Sequence, residues 1–186
     1  GWAERAYEAL AREHRFWMTR RLAPVGLNRP GNSASEEYLR RFFDHLARLR
    51  FPGLADREIG DRLAFSRHAL SECEVWDFTP RFARRAGDFC PVDLNCALLV
   101  CEEVLAGLGR RLGRGEEGEW RRRAARRRAL IDRHLWHGRL GCYTDYDHAR
   151  GRQGRVISCA ALFPLWAGCA SREQAGRMAN RVAEMY

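Results

Sequence analysis

The sequence predicts an all-α chain of paired helices joined by loops of unequal length. Three observations carry this reading. Apolar residues recur at three- and four-residue spacing through successive segments. Capping residues and Pro/Gly punctuation bound those segments. Long loops bearing aromatic and acidic residues follow alternate helices. Such a chain can build a toroid in which inner helices wrap a central pocket and the loops line its mouth. A plain helical bundle has the same periodicity, and propensity does not separate the two.

Taken in order, residues 3–21 read as an amphipathic helix in which Tyr7, Leu10, Ala11, His14, Trp17 and Met18 share a face. His14 and Trp17 can face a sugar or pack in the core. Pro24, Gly26, Asn28, Pro30 and Gly31 then form a loop with Arg29 at its tip. Ser35 caps a second helix with Glu36 and Glu37 in its first turn, where acidic side chains favour the helix dipole. Leu39, Phe42, Phe43, Leu46 and Leu49 line its apolar stripe, and Pro52-Gly53 ends it. A third helix is expected from Ala55 to about Leu70, carrying Ile59, Leu63, Phe65 and Ala69.

Asp93 is placed to cap a well-buried helix from about Leu94 to Leu112, stopped by Gly113 and Gly115. Glu116 to about Leu135 forms the next, with Trp120, Ala124, Leu130 and Ile131 inward. Its runs Arg121–Arg123 and Arg126–Arg128 are expected to form the wet face of an outer helix. A long loop follows, bearing Tyr143-Thr144-Asp145-Tyr146-Asp147. Tyr146 between two acids can offer a platform to a carbohydrate, or the segment can be a hairpin whose polar groups satisfy one another. Ser171 with Gln174 forms a capping box for a last helix to Tyr186. That helix meets the chain end without a stop signal.

Length and composition bound the rest. The 186 residues suit one domain or part of a larger one, and an apolar share of 46% is enough to bury a core. No apolar run of about 18 residues exists, so no membrane span is expected. The net charge is +9, and all 33 basic residues are Arg. So uniform a bias reads as a coding preference; with no recognised motif beside it, nucleic acid is not an expected partner. The seven cysteines are an odd number without CxxC or Cys/His spacing, so no metal is expected. Reduced, buried thiols suit a cytoplasmic chain.

The chemistry concentrates in Glu72-Cys73-Glu74-Val75-Trp76-Asp77-Phe78-Thr79-Pro80-Arg81-Phe82, followed by Pro91-Val92-Asp93-Leu94-Asn95. Asp77 lies between two aromatic residues. A carboxyl packed against apolar rings is poorly hydrated and favours its neutral form, as a general acid requires. Glycosidases use such a group to protonate a leaving oxygen. Asp77 can also simply cap the loop or pair with Arg81.

These two segments resemble the trehalase motif, in which a Trp-Asp or His-Asp pair precedes a Val-Asp-Leu-Asn helix. Phe16-Trp17-Met18 and Arg29-Pro30 match upstream in order. Trp136, Gly141, Asp145-Tyr146-Asp147 and Phe163-Pro164-Leu165-Trp166-Ala167-Gly168 match downstream. The related glycosidases acting on glucosides and glucosylglycerate are similar, less closely. The resemblance implies part of an (α/α)6 toroid, a six-hairpin glycosidase barrel, and a single partial catalytic domain truncated at both ends. It implies a disaccharide substrate, hydrolysis of α,α-trehalose with inversion, no cofactor, and a monomer in the whole protein. By position, Asp77 matches the general acid and Arg29 the sugar-binding arginine. Val75 falls where the family has a glycine whose backbone touches the sugar, Trp76 adjoins it, and Tyr146 is a candidate for shaping the pocket.

The chain departs from the pattern. Gly31 stands where the family has a Glu after Arg-Pro, which removes an acceptor unless Glu36 or Glu37 substitutes. Cys73-Glu74-Val75 stands for Glu-Ser-Gly, which adds bulk beside the acid. Inversion needs a second carboxylate roughly 6.5–9.5 Å from the first, and the resemblance puts that base beyond Tyr186. A non-catalytic, Arg-rich helical protein binding an acidic partner is the alternative.

Overall fold

Helix caps set the frame in the computed structural model, which describes residues 1–50, 61–77 and 79–184. Helix α1 spans Trp2–Arg20. Helix α2, Glu36–Arg50, starts where expected, with the Tyr38 N–H donating to Ser35 Oγ at 3.2 Å. Helix α3 is Arg62–Glu72, and Asp61 accepts from the Leu63 and Ala64 amides at 2.9 and 3.2 Å. That N-cap was not anticipated; the expected start at Ala55, with Ile59, lies outside the described residues.

Helix α4, Val92–Arg111, begins directly after Pro91. Asp93 is therefore not its cap but part of its first turn, which corrects the sequence reading. Helix α5 is Glu117–Leu135. Four-residue helix α6, Phe163–Trp166, precedes α7, Arg172–Ala183. The capping box at α7 forms as read: Ser171 Oγ accepts from the Gln174 amide and Gln174 Oε1 from the Ser171 amide.

The stretch expected to be loop between α5 and α6 carries short strands. Trp136–His137 (β2) pairs with Cys142–Tyr143 (β3), a hairpin turned by Gly141 at φ +68°. Phe89–Cys90 (β1) pairs antiparallel with Tyr146–Asp147 (β4), which pairs with Arg152–Gln153 (β5). Two-residue strands are too short to show a period-2 pattern in sequence. They nevertheless tie the segment after Asp77 to the segment holding Tyr146.

The main core joins Leu27, Leu99, Ile131, Leu135, Tyr143 and Met178, all essentially inaccessible to solvent. Each such side chain contributes about 1.5–3 kcal/mol through burial. Phe43 and Leu46 of α2 meet Phe65 and Ala69 of α3 in a second cluster. His14 and Trp17 are buried, so the core use of these residues is the one realised.

Helices α1, α4 and α5 also share a polar network. Glu102 Oε1 accepts from His14 Nε2 at 2.9 Å and from Arg127 Nε and Nη2 at 3.0 and 2.8 Å. Arg127 Nη1 donates to Asn28 and Asn95 at 2.8 and 3.2 Å. Arg127 is thus buried, unlike its neighbours Arg121–Arg123 on the solvent face, and the expected wet face is wrong at this position.

Burial opposes ionisation of Glu102, but its bonds from His14 and Arg127 outweigh it and hold its carboxyl below the usual range. A depressed folded pKa contributes stability above the unfolded value of 4.5, lost as pH falls through the folded one. Glu102→Gln leaves Arg127 buried and uncompensated, and should cost about 3–5 kcal/mol near neutral pH. It should also flatten the fall in stability below about pH 4.5. Urea unfolding on both sides of that pH checks this; an unchanged acid slope would remove Glu102 from the account.

Candidate functional site

The loop bearing Asp77 is fixed at both ends. At its start, the chain leaves α3 with the Val75 amide donating to Glu72 O at 2.9 Å, and Glu72 Oε1 accepting from the Thr79 amide at 3.0 Å. This closes a short excursion that carries Val75, Trp76 and Asp77; Phe78 lies outside the described residues. Thr79 then caps a 3-10 turn, Pro80–Phe82, with Pro at its first position, where the missing N–H costs nothing.

At its far end the loop is held by Arg81, which is 4% exposed. Its Nε and Nη2 donate to Asp145 at 2.9 and 2.6 Å, and its Nη1 and Nη2 to Asp93 at 3.2 and 2.7 Å. Asp145 also accepts from the Val92 amide at 3.0 Å. Burial opposes the charge on Arg81, but its two carboxylate partners raise its pKa well above the ordinary value. Burial pushes Asp145 up, and its bonds from Arg81 and the Val92 amide offset only part of the lost hydration. The pairing of Arg81 with Asp77, one of the sequence readings, does not occur.

Glu74 is a second anchor. Its carboxylate accepts from Arg21 Nε at 2.7 Å, from Arg21 Nη2 at 2.5 Å, and from the Gly31 amide at 2.8 Å. A Cβ on Gly31 would stand 3.4 Å from the Arg21 side chain and 3.5 Å from Arg29 Nη1. Two departures from the family pattern therefore meet in space. A carboxylate from position 74 lies against the position 31 amide, and the substitutes suggested by sequence, Glu36 and Glu37, instead pair with Arg40 and Arg41.

The other sequence-predicted residues are placed as follows. Val75 is half-buried and packs against both the Trp17–Leu94–Leu98 and the Phe82–Ala86–Phe89 clusters, which absorb its added carbons. Trp76 is 41% exposed and Asp77 is exposed, with no hydrogen bond to another described residue. The expected packing of Asp77 between two rings involves Phe78 and so lies outside the described residues; the described ring beside it, Trp76, leaves Asp77 exposed. Arg29 is half-buried, and its Nη1 donates to Gly87 O at 3.2 Å and Pro30 O at 3.4 Å. Tyr146 pairs with Cys90 across β4 and β1, and its ring lies 4.8 Å from that of His134.

The structure thus brings Arg29 to the Asp88 side of the loop and Tyr146 to its β1 end. Neither shares a hydrogen bond with Asp77 among the described residues. The neighbouring acids Asp145 and Asp147 are occupied by Arg81, Arg85 and Arg150, the hairpin alternative of the sequence reading. Sequence reasoning paired Arg81 with Asp77 and read Asp93 as a cap because Asp145, which completes the trio, lies 64 residues beyond Arg81; Glu74 was missed because Arg21 lies 53 residues before it. Among the described residues there is no group of three or more His, Cys, Asp or Glu placed to hold a metal ion. No described helix is long and apolar enough to cross a membrane.

The family model for trehalase matches residues 57–186, more than half of the chain. Neutral trehalase Nth1 from Saccharomyces cerevisiae superposes with a TM-score of 0.74 at 21% identity, covering 96% of this chain and 38% of that one. A GH63 mannosylglycerate hydrolase from Thermus thermophilus, solved with glucose, gives 0.57 at 20% identity, covering 96% and 44%. These folds are (α/α)6 toroids, and this chain is part of one. It spans about two fifths of the length of the structures it matches.

Arg81→Met should destabilise the chain by about 3–5 kcal/mol, because it leaves Asp93 and Asp145 buried without their cation. Chemical denaturation at neutral pH measures this. A cost below about 1 kcal/mol, the scale of an exposed pair, would mean that the ion trio does not hold the loop.

Proposed function

Because this chain belongs to the trehalase family, we propose that it forms part of an inverting glycoside hydrolase in which Asp77 is the general acid. Its substrate is an α-linked glucoside: α,α-trehalose or a related sugar such as glucosylglycerate. The observation that carries the reading is the family match, which includes both Asp77 and the Val92-Asp93-Leu94-Asn95 segment. The likeness to a trehalase and to a mannosylglycerate hydrolase is consistent with either sugar.

In this mechanism Asp77 gives its proton to the glycosidic oxygen as the C–O bond breaks. A second carboxylate activates water on the opposite face of the sugar, at roughly 6.5–9.5 Å from the acid. No residue of this chain is assigned to that base. Asp77 and Trp76 stand exposed, so the dry surroundings that a proton-donating carboxyl needs would come from the bound sugar closing against the indole. The anchors on either side of the loop, Glu74 and Arg81, support the role by restricting where Asp77 can go. Arg29 would bind sugar hydroxyls through the part of its fork not committed to Gly87 and Pro30.

In the protein carrying this chain, Asp77→Asn should lower turnover of the cleaved sugar by about 10²–10⁴-fold while leaving circular dichroism unchanged. Trehalose and glucosylglycerate are both assayed, with proton NMR reading the anomer first released. Full activity in the variant would show that Asp77 is not the acid, and retention of configuration would exclude the inverting mechanism.

A further inference from the structure

A cavity of about 320 Å³ opens beside Arg29, between the loop after α1, the outer turns of α3 and the segment following Asp77. Arginines from all three segments reach it: Arg29, Arg67 and Arg84. None has a carboxylate partner among the described residues. Arg29 has only carbonyl acceptors. Arg84 lies 5.9 Å from the Phe65 ring. It occupies a left-handed backbone position at φ 60°, following Ala83 at φ 47°.

The acid in the lining, Asp88, is already answered by Arg85, whose second nitrogen is taken by Asp147. Asn32 is committed to Arg67 O and Ser71 Oγ. Among the described residues the cavity therefore carries an excess of three guanidinium charges, brought together by segments distant in sequence. A neutral sugar hydroxyl gains little from such a field. A carboxylate or phosphate gains charge-assisted, often bidentate hydrogen bonds from it.

We propose that this cavity receives a carboxylate or phosphate group carried by the sugar, so that the preferred substrate is an anionic glycoside. The inference rests on the glycosidase reading and narrows its substrate class. Arg67 and Arg84 select the anionic substituent, while Arg29 stands at the border between the cavity and the sugar. The field of fixed cations also draws such a substrate from solution, an effect that weakens as salt rises.

The test is equilibrium binding by calorimetry to the protein carrying this chain, in the Asp77→Asn form so that substrates stay intact. The ligands are trehalose, trehalose 6-phosphate, glucosylglycerate and inorganic phosphate. At least one anionic sugar should bind about 10-fold or more tighter than trehalose, the scale of a single charge-assisted contact. The double variant Arg67→Gln/Arg84→Gln should bring that affinity down to the level of trehalose. Trehalose affinity itself should stay within about twofold, which also reports that the variant is folded.

Equal affinity for neutral and anionic sugars, or a preference that survives the double variant, would overturn the assignment. So would inorganic phosphate binding as tightly as the phosphorylated sugar, since the cavity would then hold a free anion. Anionic preference lost in the double variant, with no cleavage by the wild-type protein, would defeat the hydrolase reading and leave the cavity's ligand in place. Cleavage of trehalose without any anionic preference would do the reverse.

Discussion

One buried guanidinium, that of Arg81, decides where the chain after Asp77 can run. It belongs to the loop that carries the candidate acid, yet its partners are Asp93 in the first turn of α4 and Asp145 just before β4. Two carboxylates and one arginine leave a net negative charge in a dry place, so the arrangement is not stabilising simply because it is an ion cluster. Its value is geometric. A planar fork satisfied on two edges tolerates few orientations, and the Val92 amide fixes Asp145 from a further direction. Three segments far apart in sequence are thereby locked to one another, and the β1–β4 pairing follows from the same approach.

The opposite end of the loop is governed by a different logic. Glu74 binds Arg21 and the Gly31 amide at a partly exposed site, next to the space that a longer side chain at position 31 would enter. The contact uses the Gly31 backbone N–H, so it needs no side chain at position 31. A reading that treats Gly31 and Glu74 as two separate losses misses that they are complementary. Val75 fits the same pattern, since its bulk is directed into two apolar clusters and not into open space.

Much of the frame was legible in the sequence because its signals are local. The caps at Ser35 and Ser171, the apolar face of α4 and the extent of α5 each follow from spacing within a few residues. The membership in a toroidal glycosidase family was legible for another reason: Trp76-Asp77 and Val92-Asp93-Leu94-Asn95 form a motif in a fixed order. What was not legible depends on distance along the chain. Asp93 reads as a cap in its own neighbourhood and becomes an ion-pair partner only when Arg81 arrives. Arg127 reads as one more solvated arginine until Glu102 and Asn28 surround it. The surroundings of Asp77 are not legible locally either, because neighbours in sequence need not be flanking surfaces in space; Trp76 is itself 41% exposed.

The arginines show why composition alone could not assign roles. All the basic residues are the same type, so any difference among them comes from surroundings. On the outer face of α5, Arg121 and Arg123 meet glutamates one turn away in exposed, solvent-screened pairs that contribute little. Arg81 and Arg127 are buried and hold the interior together through several carboxylate and amide partners at once. Arg29, Arg67 and Arg84 belong to neither group. They converge on a concave surface with no acid among the described residues paired to them, so their field extends into the cavity, where an incoming anion can answer it. Like charges gathered in this way repel one another and lower the stability of the empty fold. A binding site can sustain that cost, because the anion that relieves the repulsion is also the group it recognises.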